Sequence, residues 1–250
     1  MIKFFRKIRY DLMEQNKTGK YLKYAIGEIV LVVIGIMIAL QINNWNELRK
    51  EAIYERKILI EIQNSLQKDL NFWKNLLKGR ITRKESGAPE LLKKLNNPDV
   101  YQDSVGSMIR DYANLRIGIN FSYDKGPYES LKSIGLDQIK NDSLRQNIVR
   151  MYEVTLPRGE DFIDGDDDFL EQKIDDLAES FYEYKYSKDS VYKINRMIKL
   201  DNMLNNPNFM KMVVIEQERA ESYRNRLEPL INRAESLIEK IKVVLEKKHD

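Results

Sequence analysis

Cysteine is absent from this sequence, and histidine occurs only once, as His249. Without cysteine the chain has no disulfide, no thiolate metal ligand and no cysteine nucleophile. A single histidine beside the last residue leaves a Ser-His-Asp triad or an imidazole metal site with nothing to build on. We therefore expect no cofactor and no metal ion.

Proline and glycine are also scarce, with six and eleven residues among 250. An all-β chain needs many tight turns, in which these two residues dominate, so their scarcity argues against a β-rich fold. Leu, Ile, Val, Phe and Tyr recur throughout and no low-complexity tract interrupts them, which argues against a disordered chain. The expected fold class is all-α.

The net charge of +3 conceals an uneven distribution. Residues 1–23 contain seven Lys or Arg and two acidic residues, which gives this segment a charge of +5. The rest of the chain has a balance of −2, with both signs interspersed. Such a distribution does not form the basic patch or stripe of a nucleic-acid-binding surface. We expect no nucleic-acid partner.

The longest apolar run is Ile29–Leu40, twelve residues without a polar side chain. Extended to residues 24–44 it has about 21 residues and, at 1.5 Å each, covers roughly 31 Å, the thickness of the hydrocarbon core of a bilayer. Tyr24 and Trp45 flank it, where interfacial aromatic residues belong. The pattern predicts one transmembrane helix at residues 24–44, with membrane lipid around it.

Two other interpretations fit the apolar run less well. A cleaved signal peptide has a short basic segment and a small-residue cleavage site. Here some twenty residues precede the run, and it continues into Gln-Ile-Asn-Asn-Trp-Asn. The other interpretation is a buried core helix, but twelve apolar residues rich in β-branched side chains and without a polar face fit lipid better.

Lys and Arg residues that flank a span set its orientation, because the side richer in them stays in the cytoplasm. Seven lie before this span, whereas four, mixed with glutamates, lie close after it. We therefore expect a cytoplasmic N-terminus and an exported domain at residues 45–250. Residues 2–12 carry apolar side chains on one helical face and basic ones on the other, which fits an interfacial helix or a flexible basic tail.

Three residues of the span are candidates for assembly with another membrane helix. Glu28 is ionisable and therefore costly within a span, although it lies about one turn from the cytoplasmic end, where snorkelling explains it equally simply. Gly35 and Ala39 form a small-xxx-small pair that lets two helices approach closely, a motif that also arises by chance. The partner would be a second copy of this chain, giving a homo-oligomer, or another envelope protein.

Beyond the span, apolar residues recur at every third or fourth position, which is typical of amphipathic helices. The first of these helices is expected to end at Gly79, and later ones at Gly135 and near Pro157. The last helix is expected to start with Asn206 as its N-cap and Pro207 at its first position, and to run to about residue 248.

The first and last of these helices should pack antiparallel, because each has one apolar stripe and their lengths are similar. This pairing predicts that Trp73 lies near Met212 or Ile215. Pro229 should kink the last helix without ending it, since the apolar pattern resumes in register after it.

Two patterns in the exported domain suggest chemistry. Tyr128 and Lys132 have the Tyr-x-x-x-Lys spacing of short-chain dehydrogenases, but no glycine-rich strand–turn–helix precedes them, so coincidence explains the match better. Tyr184 belongs to Phe181-Tyr-x-Tyr-x-Tyr186, which fits a stacking platform for a glycan or peptide, or a helix end packed against loops. We keep Tyr128, Lys132 and Tyr184 as a candidate surface site. The acidic stretch Asp161–Asp168 is out of register for an EF-hand.

The segments Tyr24-Ala-Ile-Gly-Glu-Ile29 and Ile38-Ala-Leu-Gln-Ile-Asn-Asn-Trp-Asn46 resemble the N-terminal hallmark of an uncharacterised single-pass membrane protein family of Bacteroidota. The opening MIKFFRKIR, Tyr128–Leu136 and Ile139–Arg145 resemble that family too. It is a domain of unknown function, so the resemblance implies a topology and a lineage but no activity.

The predicted function is that of a non-enzymatic binding, sensing or scaffolding protein of the cell envelope, anchored in the inner membrane with its domain in the periplasm. Two alternatives stay open. One is a structural subunit of a larger membrane complex assembled through the span. The other is an enzyme that acts on envelope polymers through carboxylates that the sequence does not identify.

Overall fold

The computed structural model describes residues 10, 18–97, 99–101, 105–164, 167–187, 193–199 and 203–247. The interfacial helix predicted over residues 2–12 therefore falls outside the described residues, apart from position 10. The chain divides into two compact units, residues 1–56 and 57–250.

The described chain is helical apart from loops and one small sheet, which confirms the all-α prediction. The α-helices, in chain order, are α1 (Thr18–Leu76), α2 (Thr82–Leu95), α3 (Val105–Leu115), α4 (Gly126–Ile134), α5 (Asp142–Arg150), α6 (Leu156–Asp164), α7 (Asp167–Glu179) and α8 (Pro207–Lys247). Between them lie two π-helical segments, Leu77–Ile81 and Met151–Thr155, one 3₁₀ turn, Leu136–Gln138, and the strands β1 (Tyr182–Ser187) and β2 (Lys193–Ile198).

The first unit contains an apolar stretch of α1 that has no protein core around it. Its large apolar side chains are exposed on every face of the helix, at Leu22, Tyr24, Ile26, Ile29, Val30, Leu31, Val32, Val33, Ile34, Ile36, Met37, Ile38, Leu40, Ile42, Trp45, Leu48 and Ile53. By length and composition, the helical stretch Leu22–Leu95 that contains them is able to cross a membrane, and none of its most apolar window is buried.

The sequence pattern predicts that this helix ends at Gly79, but the helix continues past that residue. The π-helical segment Leu77–Ile81 carries the chain past this glycine into α2. A glycine inside a helix costs only about 1 kcal/mol, and continuing the helix buries Ile81, Ala88 and Leu91 completely. Burial of each large side chain contributes roughly 1.5–3 kcal/mol, which outweighs the glycine.

In the second unit α8 runs antiparallel to the end of α1 and to α2, as predicted. Lys74 pairs with Glu235 at 2.5 Å, and Glu85, eleven residues further along, pairs with Arg224 on the same helix. The positions on α8 fall as those on its neighbour rise, which is the mark of antiparallel packing.

The predicted contact of Trp73 with Met212 or Ile215 is wrong, since both lie at a core cluster that does not include Trp73. Trp73 stacks on Phe121 with 5.4 Å between ring centroids, and its Nε1 donates to the Ser122 carbonyl at 2.9 Å. Met212 lies in this core cluster with Ala88 and other residues of α2, α3, α7 and α8. The reason is the longer helix, since α2 lies beside the start of α8.

Helix α2 approaches α3 very closely at one glycine. A Cβ atom built on Gly87 would lie 2.4 Å from the Leu115 amide nitrogen, so no larger residue fits there without moving the backbone. This contact brings the two helices together beside the core cluster and fixes the position of the Leu115–Ile117 backbone.

Three predicted helix boundaries have mixed outcomes. Gly135 ends α4 as expected, with a φ of 130° that favours glycine. Asn206 caps α8 as expected, its side chain accepting from the Asn208 amide at 2.9 Å. Pro157 does not end a helix, because the π-helical segment Met151–Thr155 carries the chain from α5 into α6 without a break and Pro157 lies inside this run. Pro229 lies inside α8 and does not end it, as expected.

The sequence pattern also missed a β-hairpin. Strands β1 and β2 pair antiparallel, with Tyr184 opposite Arg196. The alternation Tyr182, Tyr184, Tyr186 has the period of two that is typical of a strand, although the sequence pattern predicts a helix end or a stacking platform there.

Candidate functional site

The most buried polar group of the second unit is an ion pair between α2 and α8. The Lys84 Nζ lies 2.5 Å from Glu216 Oε2, and both side chains are almost completely buried, with 2% and 1% exposed. Lys84 also donates to the backbone carbonyl of Leu115 at 2.9 Å. The ammonium group is thus hydrogen-bonded to a carboxylate and to the backbone of Leu115, the residue that lies closest to Gly87.

Two arginines extend this pair into a network. Arg116, just after α3, contacts Glu216 at 3.1 Å and Glu171 at 2.8 Å. Arg219, one turn along α8 from Glu216, contacts Glu171 at 3.1 Å and donates to the Tyr223 hydroxyl at 3.1 Å. With Asp175, which Arg116 contacts at 2.6 Å, the network joins α2, α3, α7 and α8.

The charges of this ion network balance. It contains three cations, Lys84, Arg116 and Arg219, and three carboxylates, Glu171, Asp175 and Glu216. Balance matters because an unpaired charge is very costly in a protein interior.

Burial shifts the pKa values of two groups in this network, Lys84 and Glu171. It lowers the pKa of Lys84 from its ordinary value, and the attraction of Glu216 opposes this shift. Burial likewise raises the pKa of Glu171, against the attraction of Arg116. Both shifts act against the charged form, as expected for desolvated ions. The arrangement fixes four segments relative to one another and keeps its ionisable groups engaged with each other.

Sequence reasoning missed the ion network, although a signal was present. Glu216 lies in the apolar stripe of α8, four residues after Met212 and four before Ala220. Lys84 likewise lies in a stripe, three residues after Ile81 and four before Ala88. A charged residue at a core-facing position predicts a buried partner of opposite charge, but one sequence does not identify that partner.

Tyr128 and Lys132 come together on one carboxylate. The Tyr128 hydroxyl donates to Glu153 Oε1 at 2.9 Å, and the Lys132 Nζ donates to the same oxygen at 2.7 Å. The Tyr128 ring is buried and stacks on Tyr152, with 4.8 Å between centroids. Burial, reinforced by Glu153, raises the pKa of Tyr128. A phenol held in its protonated form is a poor general base, and here it donates its proton to the hydrogen bond with Glu153.

Tyr184, the third residue of the candidate surface site, contacts a different carboxylate. It lies on β1, is exposed, and donates a hydrogen bond to Glu179 at the end of α7. The three residues proposed from the sequence therefore form two separate sets of contacts rather than one.

The candidate assembly residues lie in the first unit, on α1. Gly35 and Ala39 are exposed one turn apart, and a Cβ atom added to Gly35 would meet no atom within 4 Å. Glu28, two turns earlier, is partly exposed. Within the single chain, the Gly35 face is open to a neighbouring helix.

In the part of the chain that the structure describes, no group of three or more His, Cys, Asp or Glu side chains is arranged to hold a metal ion. The clustered carboxylates of the ion network face Lys84, Arg116 and Arg219 instead.

Comparison with known proteins gives one match. Residues 28–216, more than half of the chain, match the profile of DUF6090, described as a family of unknown function. No curated protein and no solved structure shows a significant match.

Proposed function

We propose that this chain, which belongs to the DUF6090 family, is a non-enzymatic protein of the cell envelope. In this proposal residues 24–44 anchor it in the inner membrane, the N-terminus is cytoplasmic, and residues 45–250 form a periplasmic binding, sensing or scaffolding domain. The N-terminal segments Tyr24–Ile29 and Ile38–Asn46 support a Bacteroidota lineage.

The observation that carries the proposal is the exposed apolar stretch of α1. Soluble proteins rarely expose a continuous apolar patch of more than a few hundred Å², because apolar surface in water costs roughly 25 cal/mol per Å². From Ile29 to Leu40 the stretch is apolar on all sides, and every large side chain in it is exposed. A bilayer covers such a helix on all sides, and its backbone hydrogen bonds are satisfied within the helix.

The orientation follows from the charges beside the stretch. Residues 1–23 carry a charge of +5, whereas Lys and Arg after the span are mixed with Glu47, Glu51 and Glu55. The positive-inside rule then retains the N-terminus in the cytoplasm.

A binding or scaffolding role is supported by the interior of the second unit. Its charges engage one another across four helices, with Lys84 and Glu216 buried and Glu171 partly exposed, an arrangement that holds a surface in one shape. Rigid helical scaffolds of this kind present binding residues with little loss of conformational entropy.

Reporter fusions test the topology. An enzyme that is active only outside the cytoplasm should be active when fused after Asp250 and silent when fused before Met1. The reverse pattern would overturn the proposed orientation. A reporter that is inactive at both sites would overturn the export of residues 45–250.

A second candidate function is that of a structural subunit assembled through the span, which the open face at Gly35 favours. Gly35→Ile should then reduce self-association of the full chain in membranes, because the larger side chain holds two backbones apart. Gly27→Ile is the matched control, the same change about 80° around the helix. Equal signals from both variants would remove this face from consideration. Complex formation that is unaltered in Glu28→Gln would leave Glu28 as a snorkelling residue.

A further inference from the structure

The second unit carries a polar groove of about 370 Å³ between α8 and the junction of α5 with the π-helical segment Met151–Thr155. Three cations line it, Arg150 from α5 and Arg233 and Lys240 from α8, and no acidic residue does. Amide and hydroxyl side chains complete the polar walls, and the buried side chain of Leu237 contributes an apolar surface. The groove therefore has an uncompensated positive charge, whereas the charges of the ion network balance.

The two arginines of the groove, both of them exposed, differ from the arginines of the ion network and from Arg224. Arg116, Arg219 and Arg224 each contact at least one carboxylate within 3.1 Å. Among the described residues, Arg150 and Arg233 have neither an ion pair nor a hydrogen bond. Two guanidinium groups without an anion, brought to one groove by different helices, form an anion site that the chain itself does not fill.

The third cation of the groove is positioned by a neutral side chain. The Lys240 Nζ donates to Asn147 Oδ1 at 3.0 Å, so its charge stays uncompensated while its position is fixed. Met151 and Thr155, the first and last residues of the π-helical segment, also line the groove. Single π-helical turns inside α-helices are frequent at functional sites, because they move side chains out of the regular register.

The groove continues into a second depression of about 470 Å³, which shares Ser236 and Lys240 with it. Leu144, Val243 and Val244 give this depression an apolar wall, and its other lining residues are polar or charged, with Lys240 and Lys247 beside a single carboxylate, Glu239. A cationic, hydrogen-bonding site is thus adjacent to an apolar wall. This combination suits a ligand with an anionic head and an organic substituent.

We propose that this groove binds a phosphate ester, with Arg150 and Arg233 holding the phosphate oxygens and the organic substituent lying against Val243 and Val244. Guanidinium groups bind phosphate through paired, charge-assisted hydrogen bonds, which makes arginine the preferred residue for this task. The inference rests on the proposed function in one respect, that the body is a binding module, and it gives that module a ligand class. It does not depend on the orientation of the chain.

The test measures binding by the full chain in maltoside micelles, which contain no phosphate, with glycerol 3-phosphate as the soluble probe and phosphatidylglycerol mixed into the micelles as the lipid probe. Titration calorimetry should show saturable binding of at least one probe. Binding of glycerol 3-phosphate identifies a soluble ester as the source, and binding of phosphatidylglycerol alone identifies a lipid headgroup. Binding of neither overturns the proposal.

The matched variants separate a site from general charge. Arg150→Gln with Arg233→Gln should weaken binding at least about tenfold, since two charge-assisted hydrogen bonds are lost. Arg110→Gln with Arg158→Gln removes the same charge from exposed arginines outside the groove and should bind as the unaltered chain does. Equal loss in both double variants, or in neither, overturns the proposal.

A second variant keeps every cation and guards against a folding defect. Ser236→Glu adds a carboxylate to the groove and should abolish binding while leaving the helical circular dichroism unchanged. Unchanged binding in Ser236→Glu overturns the proposal. If the reporter fusions contradict the proposed topology while phosphate binding is intact, the membrane anchor is refuted and the proposed phosphate site is unaffected.

Discussion

Residues 22–53 and residues 58–91 are both helical and rich in large apolar side chains, yet these side chains meet opposite surroundings. In the first region, the large apolar side chains from Leu22 to Ile53 are exposed. In the second region Ile60 and Phe72 are exposed, but most of the others recur along one face and are buried together with Ala88, at Ile58, Leu59, Ile62, Leu66, Leu70, Trp73, Leu76, Ile81 and Leu91.

The comparison shows that different features of the sequence determine the helical conformation of a segment and the surroundings that cover its side chains. Helical structure needs only suitable propensity and continuous backbone hydrogen bonds, which both regions have. The distribution of apolar residues around the helix decides what covers it, since a single stripe is covered by other protein elements and an all-round distribution is covered by a large protein core or by lipid.

The largest expected effect concerns the charged partner of the second region, Glu216, which pairs with Lys84. Glu216→Gln leaves Lys84, Arg116 and Arg219 facing one another with one carboxylate fewer, and breaking a buried pair costs about 3–5 kcal/mol. The free energy of unfolding, measured by urea titration, should fall by that amount. Glu218→Gln, on the exposed face of the same helix, should change it by less than about 0.5 kcal/mol. Equal effects would mean that the network does not stabilise the body.

A second prediction places the same charge in each region. Val33→Arg introduces a cation in the middle of the exposed stretch, where membrane insertion is disfavoured by about 2.5–3.5 kcal/mol. Ile60→Arg introduces it at an exposed position of the second region. After alkaline carbonate extraction, Val33→Arg should be depleted from the membrane pellet, whereas Ile60→Arg should stay there. If both variants stay in the pellet to the same extent, the comparison between the regions fails.

A smaller effect concerns a buried tyrosine, Tyr152, that lies close to Asp69 of the second region. Burial, with Asp69 and Asp124 nearby, raises the pKa of Tyr152 above the ordinary value of 10.0. The unfolded chain then releases this proton near pH 10 while the folded chain keeps it. The stabilisation is complete below pH 10 and is lost as pH rises toward the folded pKa, by up to about 1.4 kcal/mol per pH unit.

The Tyr152→Phe variant provides the check on this pH dependence, because phenylalanine has no proton to release. The fall in unfolding free energy between pH 9 and pH 11 should be smaller in Tyr152→Phe than in the unaltered chain. Parallel pH profiles would show that Tyr152 ionises equally in both states.

Much of the fold could be predicted because local rules act on short segments. The start of α8 at Pro207 and the end of α4 at Gly135 follow from capping chemistry, and the apolar stretch of α1 follows from composition alone. The end predicted at Gly79 failed because tertiary burial of Ile81 and Leu91 outweighs the propensity of one glycine.

The candidate sites were harder to predict because they depend on residues distant in sequence. Glu216 and Lys84 are 132 positions apart, and Arg150 and Arg233 come from separate helices. Periodicity marks a charged residue as core-facing but contains no information about which residue faces it. The tyrosines of β1 had a visible period of two, and a hairpin needed a partner strand that the sequence marks only weakly.

In the proposed topology, the exposed stretch separates a cytoplasmic N-terminus from the exported residues 45–250. The chain contains no cysteine, so a single introduced cysteine is the only site for a membrane-impermeant maleimide. In cells with a permeabilised outer membrane, Glu239→Cys should be labelled at once, and Tyr10→Cys only after the inner membrane is opened. Labelling of Tyr10→Cys but not Glu239→Cys in unopened cells, or of both alike, would contradict the account.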